Sequence, residues 1–145
     1  MRVDLSKQFI EGRLDTPFFK DIPAMSDDEL KCLFQFIRDV QQHKKLRGKN
    51  KPSWLDDDLN ELSHTEIYQQ NNIWHYHCGP YQPSKKYSPM SALKINLEGE
   101  TSGPVIHYQK VAEDHIVIIA YSPEHQPFPK ESDIPNPLTE RTPEK

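Results

Sequence analysis

"VIHYQKVAEDHIVIIAYS", residues 105–122, decides the fold class. Two runs rich in β-branched and aromatic residues flank the polar "VAEDH", which reads as two strands joined by a turn. From Ile116 to Ala120 every position is apolar, not every second one, so this strand has to be covered on both faces and lie inside a sheet. On its partner strand His107 lies between Ile106 and Tyr108. Neighbours on a strand point to opposite faces, so only one of His107 and Tyr108 can share the face of a site built there.

Working outward, "IWHYHCGP" (73–80) predicts another strand. "TEIYQQ" and "IWHYHCG" flank Asn71-Asn72, and asparagine tolerates the positive φ of a tight hairpin turn. "LKINL" (93–97) predicts a further strand, and "RVDLSKQFI" (2–10) a first one, marked by Val3, Leu5 and Phe9. Between them, "SDDELKCLFQFIRDVQQHKKLRG" predicts a helix over 27–47. Ser26 and Glu29 form a capping box, acidic residues open the helix and basic residues close it, and Gly48 suits the position just past its end. Leu30, Leu33, Phe34, Ile37 and Val40 form its apolar stripe. The expected architecture is α+β: a long helix packed on a mostly antiparallel sheet of about four to five strands.

The chain has 145 residues, of which 34% are hydrophobic and 13 are proline. This fits one domain, residues 1–122, followed by a Pro-rich tail, residues 123–145, that is expected to be flexible. No apolar run approaches the roughly 20 residues that span a bilayer, so no membrane partner is expected. The opening "MRVDLSKQF" has no apolar signal-type core, and the two cysteines, Cys32 and Cys78, are expected as reduced thiols in a cytoplasm. Phosphate-binding glycine loops, Cys-x-x-Cys pairs and serine-nucleophile motifs are absent from the sequence, and no cofactor is expected. Charge is divided. Residues 1–51 carry 11 basic and 8 acidic side chains (+3), and residues 52–145 carry 7 and 14 (−7). A basic half and an acidic half fit a polyanion partner on one face or a protein partner matched to both.

The chemistry-bearing candidates cluster in strands. His75 and His77 share one strand face, with Trp74, Tyr76 and Cys78 on the other. Two imidazoles side by side can serve as base and acid around a phosphate. They can also be part of a metal set, for which His107 or His115 would supply a third ligand, or simply a solvated strand face. His125, just past the last strand, is a further catalytic candidate. Lys85, Lys86 and Tyr87, in the proline-rich loop 79–92, have the chemistry to grip phosphate and stack a base. Lys44, Lys45, Arg47, Lys49 and Lys51 form a basic segment. The first three complement a helix end, and Lys49 and Lys51 exceed that need, which makes the segment a candidate RNA contact. Asp56 to Asp58 read as a solvated helix start and not as a metal cluster.

The opening "MRV", the "HYH" of 75–77 and "YQKVAEDHIVIIAYSPEH" (108–125) resemble the RelE superfamily of bacterial toxin ribonucleases, most closely its YafO-like branch. Residues 60–130 carry the resemblance. It implies a cytoplasmic toxin of a toxin-antitoxin system that cuts mRNA on the ribosome without a metal and is held inactive by a cognate antitoxin protein. His75, His77, Tyr108 and His125 stand at matching positions, and His107 does not. The acidic net charge departs from the family's usual basic character. A noncatalytic immunity or antitoxin-type module, masking a basic surface with its acidic half, is the competing expectation.

Overall fold

The computed structural model describes residues 1–56, 58–63, 65–80, 95, 103–124 and 137–141. The strand expected at 93–97 lies outside these residues save for Ile95.

Strands β4 (Val105–Ala112) and β5 (His115–Ser122) form the antiparallel hairpin on which the sheet is laid. β1 (Arg2–Leu5) runs parallel to β5. On the other side β3 (Ile73–His77) pairs antiparallel with β4, and β2 (Asn50–Pro52) antiparallel with β3. The order is β1-β5-β4-β3-β2, a five-stranded, mostly antiparallel sheet in an α+β fold. β5 is interior, as its unbroken apolar run requires. His107 lies opposite Ala120 and Tyr108 opposite Ile118, so Ile119 is a bulge. The extra residue lets Ile119 and Ala120 both join the core on one face, while Ile116, Ile118 and Tyr121 join the core on the other.

The first face is covered by α2 (Asp27–Gln41), and the capping box forms as expected. Burial works to raise the Glu29 carboxyl. Hydrogen bonds from the Ser26 backbone and hydroxyl, with the Lys20 ammonium 3.4 Å away, outweigh it and hold the group below the usual glutamate range. Two details differ from the sequence expectation. The helix stops at Gln41 and not at 47. His43 takes the left-handed conformation (φ 54°), its N–H donates to Val40 O (3.2 Å), and Lys44 N–H donates to Asp39 O (2.8 Å). This is a Schellman stop with histidine where glycine is usual. The chain leaves the helix there because Leu46, 1% exposed, turns into the core on the way to β2. The apolar stripe is also rotated. Leu33, Phe36 and Val40 are buried, whereas Phe34 is 52% exposed. Phe36 stacks on Tyr76 (4.8 Å between ring centres) and meets Tyr108 (5.6 Å).

The expected hairpin about Asn71-Asn72 is a helix-to-strand turn. Residues 66–70 form α3 (Glu66–Gln70), and Asn72 at φ 55° provides the reversal, its side chain accepting from Trp74 Nε1 (2.9 Å). The first strand is also shorter than expected. It ends before Ser6, and Lys7–Glu11 is a helical turn, α1, that buries Phe9. The second face carries Phe19, Tyr68, Ile73, Ile119, Ala120 and Leu138 in one cluster. Leu138 belongs to α4 (Pro137–Glu140), so residues 137–141 of the stretch expected as a loose tail are docked on the sheet.

The two phenylalanines of α2 separate these packings. Phe36→Ala is expected to cost about 3–5 kcal/mol in urea unfolding, and Phe34→Ala no more than about 0.5 kcal/mol. Equal losses would contradict the helix rotation.

Candidate active site

Strand alternation sorts the chemistry of β3 and β4 onto two faces. Trp74, Tyr76, Ile106 and Tyr108 belong to the core beneath α2. Ile73, His75, His77, Val105, His107 and Gln109 therefore point to the second face. His75 lies opposite His107, and His77 opposite Val105. Residues directly opposite each other share a face, so three histidines converge there. The His75 and His77 rings are 5.7 Å apart and steeply tilted to one another. Short polar contacts set two of the rings. His75 Nδ1 is 3.0 Å from Ser53 Oγ, and His107 Nε2 is 2.7 Å from Ser122 Oγ. Phe19 lies against the His107 ring at 5.7 Å. β2 adds a cation: Lys51 is opposite His75, on the same face, and half-buried.

This face is not the solvated one that was a plain reading of the sequence. His75 and His107 are fully buried and His77 is 4% exposed. Phe19, α3 and α4 bring apolar side chains over the second face, where the His107 ring lies against Phe19. Gln109 shares the face and is also fully buried, and neither of its amide atoms has a hydrogen-bond partner among the described residues. The sequence signal for Gln109 is its spacing of two from His107.

Tyr108 is not part of this cluster. It points into the α2 core, where its hydroxyl donates to Asn50 Oδ1 at 2.6 Å and ties β4 to β2. Burial holds that hydroxyl well above the usual tyrosine range, so it stays protonated and structural. His115 is also elsewhere, with Nε2 2.7 Å from Asp4 Oδ2. His125, Lys86 and Tyr87, with Lys85, lie outside the described residues. The basic segment divides: Lys44, Lys45 and Arg47 are exposed, Lys49 is buried, and Lys51 faces His75. It therefore does not act as one patch at a helix end. Asp56 is not a helix start, since its side chain accepts from the Asp58 and Asn60 amides to close a turn. Cys32 and Cys78 are both free thiols. Among the described residues no group of three or more His, Cys, Asp or Glu side chains is placed to hold a metal ion, and no helix is long and apolar enough to cross a membrane.

Neither a protein-family model, nor a curated protein, nor a solved structure matches the chain.

One titration reports on the sheet beneath the site. Lys110, on the first face, has its ammonium 3.5 Å from the centre of the Trp74 ring. Desolvation by burial lowers its pKa to about 8. Between pH 8 and its unfolded value near 10.4 the unfolded chain binds the extra proton, so its contribution to stability rises with pH. Burial also raises the thiols of Cys78 and Cys32, which opposes this rise from about pH 8.5, where unfolded thiols ionise. It raises the hydroxyls of Tyr108 and Tyr121 too, which lowers stability further above about pH 10, where unfolded tyrosine ionises. Lys110→Met is expected to make the urea midpoint fall more steeply from about pH 8 to pH 10 than it does in wild type, where Lys110 offsets the thiols. The same pH dependence in both proteins would place the offsetting group elsewhere.

Proposed function

We propose that the chain is an endoribonuclease toxin of RelE type, closest to the YafO-like branch, acting in the cytoplasm on mRNA at the ribosome and held in check by a cognate antitoxin protein. The observation that carries this reading is the convergence of His75, His77 and His107 on one sheet face beside Lys51. It is supported by the α+β architecture, a helix on one side of a five-stranded, mostly antiparallel sheet. The chemistry is transfer of the ribose 2′-oxygen onto the adjacent phosphorus. One of His75 and His77 takes the 2′-hydroxyl proton, and the other gives a proton to the departing 5′-oxygen, which leaves a 2′,3′-cyclic phosphate. Lys51 lies where a cation would balance charge developing on the phosphate. His107, held by Ser122, lies opposite His75 and is the proposed substrate-binding imidazole beside the pair. The proposed reaction uses no metal. Lys44, Lys45 and Arg47, the exposed part of the basic segment, are the proposed contacts to ribosomal or messenger RNA.

Induced expression tests this. The wild-type chain is expected to arrest growth and cut mRNA, with the purified protein unaffected by EDTA. His75→Gln and His77→Gln are each expected to lower cleavage by on the order of a hundredfold or more, with circular dichroism unchanged. A folded wild-type chain that neither slows growth nor cuts RNA would favour the noncatalytic immunity or antitoxin-type module.

A further inference from the structure

The segment 137–141 is joined to the second face by a small number of strong contacts. Arg141 makes a forked ion pair with Asp21, Nη1 to Oδ1 at 2.6 Å and Nη2 to Oδ2 at 3.0 Å, and Nη1 also donates to Ile119 O at 3.1 Å. Both side chains are inside, at 9% and 1% exposure. Leu138 is fully buried among Phe19, Tyr68, Ile73, Ile119 and Ala120. Two of these residues border the His107 end of the histidine face. Phe19 lies against the His107 ring, and Ala120 is the residue opposite His107.

The two halves of the ion pair are held very differently. Asp21 is preset by its own loop: Oδ2 accepts from Leu14 N–H (3.0 Å), and the Asp21 amide donates to Leu14 O (2.9 Å). Gly12 is needed for this closure, because a Cβ there would collide with the Asp21 carboxylate and the Gln8 carbonyl. Arg141, by contrast, follows a helix of only four residues. A helix that short has no stability of its own, so its place on the sheet depends on Leu138 and Arg141. The latch also borders an open hollow of about 590 Å³ lined by Lys7, Gly12, Arg13 and Leu14 among others, so solvent stands next to it.

We propose that residues 137–141 are a releasable clasp over the histidine face, seated by Leu138 and locked by Arg141 on Asp21. With the clasp on, Phe19 is pressed against His107 and the face is shut. With it off, the apolar cover over Ile119 and Ala120 is lost and the face opens. The consequence for RNA cleavage rests on the function proposed above, whereas the opening itself does not.

Diethyl pyrocarbonate, which acylates accessible neutral imidazoles, tests the clasp on the full chain. Modification rates of His107 and of exposed His43 are read by peptide mass spectrometry in wild type, Arg141→Gln, Arg141→Lys and Leu138→Ala. Trp74 fluorescence, isolated by Trp54→Phe in each of them because Trp54 borders both clusters, monitors the opposite core. In wild type, His107 is expected to react far more slowly than His43. In Arg141→Gln its rate relative to His43 is expected to rise more than about tenfold, as loss of one partner from a buried pair requires. Arg141→Lys is expected to fall in between, because an ammonium cannot fork across both carboxylate oxygens. Trp74 emission is expected to stay constant. An unchanged His107 rate in both Arg141→Gln and Leu138→Ala overturns the proposal. So does a shift of Trp74 emission that accompanies every rise in His107 reactivity, Arg141→Lys included, since the segment would then be a fixed part of the core. A chain that opens in this way yet cuts no RNA removes the ribonuclease reading and leaves the clasp standing.

Discussion

The structure depends on β5 being buried on both faces. An all-apolar run from Ile116 to Ala120 cannot lie at a sheet edge without exposing large side chains to water, so it takes the place between β1 and β4. Burial on both sides demands two layers of cover. α2 supplies one through Leu33, Phe36 and Val40, and Phe19, Tyr68 and Leu138 supply the other. The bulge at Ile119 adjusts the strand to both layers at once. β4 pairs with β5 along its whole length, so its alternation is inherited from the same constraint: Tyr108 goes to the α2 side and His107 to the other.

A cluster of imidazoles inside a protein differs from the same cluster on a surface. Buried polar atoms cost free energy unless they are paired, and Ser53 and Ser122 supply pairing that an apolar face would not need. Residues chosen only for packing would have filled these positions with aliphatic side chains, as Val105 and Ile73 do on the same face. His77, His75, His107 and Gln109 are therefore a costly set of groups to bury on one sheet face. Burial also means that any molecule reaching this face has to pass its cover, of which residues 137–141 are a part.

The parts of the fold legible in the sequence were those set by short-range rules. The β4–β5 hairpin, the α2 start at Ser26 and the shared face of His75 and His77 follow from alternation, capping and turn chemistry in contiguous residues. The misread parts were decided by distant contacts. Nothing local announces that Leu46 will be drawn into the core and end α2 at Gln41, and His43 carries none of glycine's usual signal for a helix stop. "TEIYQQ" has strand-like residues, yet β3 finds its partner at Asn50–Pro52, which leaves residues 66–70 to form a helical turn. The choice between His107 and Tyr108 needed one long-range fact, the hydrogen bond from Tyr108 to Asn50, 58 residues away. Lys51 joined the site by the same pairing of β2 with β3. Leu138 and Arg141 stand in a proline-rich, polar stretch whose composition gives no hint of a buried ion pair.

Analysis of RNA ends tests the central claim most directly. Purified chain is incubated with ribosome-bound mRNA, and the cleavage products are assayed for their 5′ and 3′ termini. Acid–base transfer between His75 and His77 predicts 5′-hydroxyl ends and 2′,3′-cyclic phosphates, with both lost in His77→Gln. Products carrying 5′-phosphates, or cleavage that persists undiminished in a folded His75→Gln, His77→Gln double variant, would contradict a catalytic role for the histidine face.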